Sequence, residues 1–379
     1  MARSIQDLCK SIAPLSKAQL IPENSFLATC MTGSASEHVS FLEVLPTDLC
    51  NHACTWCFTA SCRTTKTIDP DVLRSRLESF LGGGGKSILF SGGGEPLLFK
   101  PLVEPSTIFD DATLVQWISS RGAASAVITN GVFLDKFLHA NEDCFRSLAF
   151  LRVSLDAHSA PRYEQIHAAR PGDYQRVLGA LRSAVQQRGD SPTPAIGISF
   201  VVDPSDDLNC RRDDFEAIDC IASTIGVDFV QVKHVQTVEQ RAADSVMLKI
   251  SELLTQIPKG EHEWWVHRYL SSPADTNCAV PLLAQVLRSD GKRSPCCHLQ
   301  HLDVQDPSDA LGLSPFRVTG CRSAVCRYVS MNYLLKVLEQ CGTEYVKALE
   351  RLKLSLERDG FHPYRLFPST PDLVQDPLL

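Results

Sequence analysis

Hydrophobic and polar positions alternate over 38–45 (HVSFLEVL), a two-residue period that predicts a half-buried strand. The period then changes. Over 69–81 an acidic start, Pro70 in the first turn and Val/Leu at helical spacing predict a helix. Further strands are predicted at 87–90, 125–129, 150–155, 195–202 and 228–232, with helices at 112–120, 134–139, 174–187 and 213–225. Six β–α units in a row predict an α/β fold with a parallel sheet and helices outside it. Six units suit an open, partial (β/α)6 TIM-like barrel better than a closed eight-stranded one. In such sheets the chemistry gathers at the C-terminal strand ends.

The pattern divides the chain. Residues 1–37 read as a polar leader and 38–236 as the barrel. Residues 237–330 start with a helical stretch at 238–257. A hairpin follows at 285–298, with Asp290-Gly291 as its turn. Residues 331–379 carry a C-terminal helix and a proline-containing tail.

Composition adds little to the fold and more to the chemistry. With 379 residues, 44% hydrophobic and 21% charged, the chain is ordinary globular material. A net charge of −7 gives no broad attraction to nucleic acid or anionic membrane. The Arg211-Arg212 pair reads as a solvated helix start. No apolar run approaches the roughly 20 residues that span a bilayer, and 1–17 lacks a signal-like apolar core, so a cytoplasmic location is expected. In a reducing compartment, fifteen cysteines point to metal or catalysis rather than disulfides. Cys9, Cys30, Cys144, Cys220 and Cys341 read as small buried hydrophobes.

Cys50, Cys54 and Cys57 lie in one short loop after the first strand. Three thiolates at this spacing can wrap one face of an iron–sulfur cubane and leave one iron open. A zinc loop is the alternative, although structural zinc sites usually pair Cys-x2-Cys knuckles and no second knuckle lies nearby. Ser91-Gly92-Gly93-Gly94-Glu95-Pro96 ends the second strand, where glycines admit close approach of a ligand to the backbone. Gly82 to Ser87 imitates a phosphate loop. It has Phe80 where the first glycine should be and runs helix to strand, the reverse of that motif.

These two motifs resemble those of the radical S-adenosylmethionine (SAM) superfamily, Cys-x3-Cys-x-aromatic-Cys and Gly-Gly-Glu-Pro. Trp56 supplies the aromatic. The resemblance implies a 4Fe–4S cluster on Cys50, Cys54 and Cys57. Its open iron chelates SAM, which is cleaved reductively to a 5′-deoxyadenosyl radical that takes a hydrogen atom from substrate. It also implies cofactor contacts at Trp56, Phe58, Gly93, Gly94, Glu95, Asn130, Ser154 and Asp156, and a reductant such as flavodoxin or ferredoxin. Asn130 and Asp156 are equally readable as loop caps, and His167 as a surface helix residue. Lys233 and His234 end the sixth strand and read either as substrate contacts or as solvated residues.

The pattern Cys278-x12-Gly291-x4-Cys296 resembles the start of the twitch and SPASM extensions of that superfamily. With Cys321 and Cys326 beyond, the resemblance implies one auxiliary 4Fe–4S cluster. The Cys321-x4-Cys326 spacing leaves the fourth ligand open among these residues, Cys297 and His298, and zinc open as occupant.

Radical SAM enzymes with such extensions modify either peptides or small polyols and sugars. The stretch before Cys50 is too short for a winged-helix peptide-recognition unit. A small polyol, sugar or nucleoside-like substrate is therefore expected, with dehydrogenation or epimerisation as outcome and the auxiliary cluster as electron acceptor. For epimerisation, Cys62, Cys210 and Cys297 are candidate hydrogen donors. A molybdopterin-type cyclisation is disfavoured because no Arg-rich C-terminal tail is found. A peptide-modifying maturase and a non-catalytic iron–sulfur protein are the competing readings.

Overall fold

The computed structural model describes residues 41–57, 59–60, 63–83, 85, 87–203, 208–235, 249–250, 252–257, 260–267, 270–271, 276–278, 284–294, 296, 318–321 and 325–326. The predicted leader, the C-terminal helix and the tail lie outside these residues.

Six strands follow the predicted order: β1 (Phe41–Val44), β2 (Ser87–Phe90), β3 (Ala124–Thr129), β4 (Leu148–Ser154), β5 (Ala195–Val202) and β6 (Phe229–His234). Each pairs in parallel with the next. The strands are buried on both faces and mostly apolar. Helix Pro70–Gly82 shows how the outer layer attaches. Asp69 caps it by accepting from the Asp71 and Val72 N–H groups, and Pro70 fits the first turn. Leu73, Leu77 and Phe80 then return to one buried face.

The sheet is wider than six strands. β7 (Glu263–His267) adds in parallel to β6. Two short strands follow, β8 (Leu270–Ser271) and β9 (Thr276–Cys278). The chain then crosses to the other edge. There β10 (Ala284–Leu287) pairs in parallel with β1, and β11 (Arg293–Ser294) returns antiparallel to β10. The predicted hairpin is thus present. Gly291 at its turn has φ +77°, the left-handed region that glycine enters without strain. Instead of standing apart as an extension, the hairpin forms the edge of the main sheet, in the order β11-β10-β1-β2-β3-β4-β5-β6-β7. Outside it, β12 (Val318–Cys321) pairs with β9, and β13 (Val325–Cys326) with β8.

Two further points depart from the sequence reading, and a third falls largely outside the described residues. Helix Ala160–His167 was not predicted. The helix predicted at 238–257 is described only at 249–250 and 252–256, which are helical. Cys220, read as buried, is exposed on helix Arg212–Ile225. Among the described residues no helix is long and apolar enough to cross a membrane.

Candidate active site

The loop that leaves β1 is held from two sides. Thr55 N–H and Ala53 N–H donate to the carbonyls of Ile166 and His167, which end helix Ala160–His167. These carbonyls lack partners within their own helix, so the loop completes them. On the other side Gly94 N–H donates to Thr47 O at 2.9 Å and Glu95 N–H to Leu49 O at 2.7 Å. The β1 and β2 loops are therefore stitched together at the strand ends.

This stitching explains the glycines. A Cβ on Gly94 would lie 2.0 Å from Leu49 O, a position no side chain can share. Glu95 is buried, and its carboxylate serves as a clamp. Oε1 accepts from Leu97 N–H at 2.9 Å and Thr129 Oγ1 at 2.6 Å, while Oε2 accepts from Asn130 N–H at 2.7 Å. Burial nevertheless pushes its pKa up to about 7, against the pull of these donors.

Cys50, Cys54 and Cys57 line one cavity of about 240 Å³. Cys54 Sγ lies 3.0 Å from His167 Nδ1, and Cys57 Sγ 3.2 Å from Thr59 Oγ1. Burial, then Asp156 and the two neighbouring thiols, push Cys54 up to about 12. Cys50 is also raised, chiefly by burial. Three thiols that face one space, two of them, Cys50 and Cys54, reluctant to ionise alone, suit a polycationic metal centre that deprotonates its ligands on binding. The donor set therefore fits a three-thiolate cluster.

Gly93, Gly94, Glu95, Asn130, Ser154, Asp156, Trp56 and Lys233 line the same cavity. Their local roles differ. Asn130 Oδ1 caps Val132 N–H at 3.0 Å, and Nδ2 donates to Asn51 Oδ1 at 2.8 Å. Asp156 adopts φ +52° and accepts from Ser199 Oγ at 2.8 Å. Asn130 thus also acts as a loop cap, whereas the Asp156 carboxylate reaches across to β5. His167 is 1% exposed, not a surface residue, and its Nε2 donates to Leu155 O at 3.1 Å.

Four titratable lining residues were not singled out in the sequence: Glu43, His52, Arg63 and Arg152. Glu43 and Arg152 are charged side chains inside strands, and both are buried. Barrel interiors are mostly apolar, so that placement was a readable signal. Glu43 Oε1 accepts from Ser91 Oγ at 2.7 Å, and Arg152 donates to Gln231 Oε1.

Among the described residues, one predicted hydrogen donor is not brought to this cavity. Cys210 is buried elsewhere, donating to the carbonyls of Asp203 and Leu208. Phe58, Cys62, Cys297 and His298 lie outside the described residues. The backbones of Cys278 and Cys321 lie on paired strands β9 and β12, and Cys326 on β13. Cys296 is half-buried just past β11.

Comparison with known proteins agrees with this geometry. Residues 44–201 match the radical SAM superfamily, so the chain carries a domain of that superfamily. A GTP 3′,8-cyclase from Alkaliphilus oremlandii (strain OhILAs) is 22% identical over 293 residues, covering 72% of this chain and 85% of that one. A probable GTP 3′,8-cyclase from Methanosarcina mazei is 30% identical over 154 residues, but this match spans only 42% of its length. Among solved structures, Streptococcus suis SuiB superposes with a TM-score of 0.52 at 12% identity, over 81% of this chain and 75% of that chain. The protein anSMEcpe with bound AdoMet and Cp18Cys peptide also gives 0.52, at 14% identity over 84% and 99%. At such identities the likeness is one of fold.

Proposed function

We propose that this chain is a radical SAM enzyme acting on a small anionic substrate of the sugar, polyol or nucleotide type. The observation that carries this reading is a shared cavity. The three thiols of the cluster loop and three cations, Arg63, Arg152 and Lys233, line the same space. A cluster on Cys50, Cys54 and Cys57 with bound SAM supplies one-electron cleavage of the sulfonium and a 5′-deoxyadenosyl radical that takes hydrogen from substrate.

The chain's own residues then divide the work. The Gly93–Gly94 backbone leaves room for the methionyl end of SAM. Glu95 keeps the β2 and β3 ends in register and retains acceptor capacity for an ammonium group. Ser154, Asn130 and Asp156 supply polar contacts to the rest of the cofactor. Ile128, Val201 and Trp56 line the wall with apolar surface that excludes water from the radical. Arg152 and Lys233 meet the anionic group of the substrate, beside the carboxylates of Glu43 and Asp156 in the same wall.

GTP, named for the relatives, is an anionic nucleotide and belongs to this substrate class. Nucleotide cyclisation therefore stands beside dehydrogenation and epimerisation as an outcome. The auxiliary cluster on Cys278, Cys296, Cys321 and Cys326 remains part of the proposal, supported by the pairing of β9 with β12.

The test is anaerobic reconstitution followed by reduction with SAM present. The expected products are 5′-deoxyadenosine and methionine, with faster cleavage when the anionic substrate is added. GTP, a polyol phosphate and a carboxylate-rich peptide should be compared. Stimulation by the peptide alone would replace the small-molecule reading with a maturase. No SAM cleavage by iron-loaded, reduced protein would leave an iron–sulfur binding protein.

A further inference from the structure

His52 lies inside the cluster loop, two residues from Cys50 and two from Cys54, yet nothing in the radical chemistry uses it. It is 3% exposed, and neither ring nitrogen has a hydrogen-bond partner. Its ring stacks on His167, with centroids 5.4 Å apart and planes inclined by 28°. A buried imidazole without partners is costly, because its polar atoms have given up water for nothing.

The surroundings supply what is missing. One ring nitrogen of His52, the Cys54 sulfur and one ring nitrogen of His167 all lie within 4.8 Å of one another. A shared ion sits about 2.0–2.1 Å from nitrogen and about 2.3 Å from sulfur, so donors within 4.8 Å of one another need only small side-chain shifts to hold one together. His167 is also oriented as metal-binding histidines are. Its Nδ1 faces the sulfur while Nε2 donates to the Leu155 carbonyl, which fixes the tautomer with a lone pair on Nδ1. The His52 Nε2 lies 3.9 Å from the Asp173 carboxylate, an anionic group in its outer surroundings. All three residues border the cavity, so a fourth position would open toward it.

We propose that His52, Cys54 and His167 form a second metal site that binds one divalent ion of borderline softness, zinc or ferrous iron, when the cluster is absent. Binding forms two metal–nitrogen bonds and one metal–sulfur bond, and the Cys54 thiol proton leaves to solvent. No redox change is involved. Cys54 belongs to both sites, so the single ion and the cluster compete for the loop. The proposal shares only Cys54 with the radical SAM reading. SAM cleavage tests that reading, and metal binding by iron-free protein tests this one, so either can fail alone.

The experiment uses the full chain, stripped of iron under anaerobic conditions and titrated with zinc alone, then cobalt(II) alone as a spectroscopic reporter. Bound ions are counted against the same titration of variants. Cys54→Ala, His52→Phe and His167→Phe are expected to lose one ion per chain, or to bind it at least about 100-fold more weakly. Cys50→Ala and Cys57→Ala are expected to retain it. The cobalt difference spectrum between wild type and Cys54→Ala should carry a thiolate charge-transfer band and tetrahedral ligand-field bands. Zinc added first should slow later cluster assembly in wild type. His52→Gln and His167→Gln replace the phenylalanine variants if those lose the wild-type circular dichroism. Zinc binding unchanged in both histidine variants, or lost equally in Cys50→Ala, would overturn the proposal.

Discussion

The Glu95 carboxylate, at the end of β2, accepts the backbone N–H of Asn130, beyond the end of β3, at 2.7 Å. A side chain that the superfamily resemblance assigns to cofactor binding is thereby also a joint between neighbouring strands. Both oxygens act as acceptors here, one of them twice.

Glu95→Gln should therefore weaken the fold as well as SAM binding. The new amide NH2 must face at least one backbone N–H, leaving a buried donor without an acceptor. A loss of about 1–3 kcal/mol is expected, read as a lower urea midpoint for the iron-free protein. An unchanged midpoint would show that the clamp contributes nothing.

The same residue gives a pH signature. Its folded pKa is raised from 4.5 to about 7, so the folded chain holds this proton more tightly than the unfolded one. Stability from this group is present below pH 4.5, falls as pH rises through about 7, and is flat above. Glu95→Gln should remove that slope. Urea titrations of both proteins across this range check the sign.

Gly94→Ala should be among the most damaging single-methyl changes. The added Cβ meets the Leu49 backbone at 2.0 Å, and backbone cannot swing aside as a side chain can. Separating the β1 and β2 loops breaks the bonds Gly94 N–H to Thr47 O and Glu95 N–H to Leu49 O. A destabilisation of about 3 kcal/mol or more is expected, with loss of SAM binding by calorimetry.

Iron counting separates the two clusters. Wild type should hold about eight irons, and the triple variant Cys50→Ala, Cys54→Ala, Cys57→Ala about four. If the triple variant holds none, the auxiliary cluster is absent. If it holds four but wild type also holds only four, the loop carries no cluster.

Much of the barrel was legible because each element signals locally. Strand 195–202 stands where alternation between turn signals placed it, and helix Pro70–Gly82 begins at its Asp69 cap. Helix Ala160–His167 was missed because it is short and its buried residues, Tyr163, Ile166 and His167, are few and half polar. β7 was missed because Glu263–His267 begins with a charge and sets its apolar residues side by side, without alternation. The place of β10 was beyond local pattern, since its parallel partner lies near the other end of the described chain.

The candidate site divides along the same line. The cysteines and glycines sit in two loops at fixed spacing, so residue type alone exposes them. His167 reaches Cys54 from a different helix, and only folding brings them together. Glu43 and Arg152 are readable as charges inside strands, but only the folded sheet shows that both face one cavity.

The parallel pairing of β10 with β1 has a consequence for how the protein is made. During synthesis β1 and the cysteine loop emerge early, while the strand that covers their open edge emerges only after β7. Until then β1 presents unpaired backbone groups on one side, a template for mispairing. Metal delivery to the loop on the ribosome would therefore act on an unfinished scaffold. A chain shortened before 284 would keep Cys50, Cys54 and Cys57 yet lack the strand that pairs with β1 beside their loop.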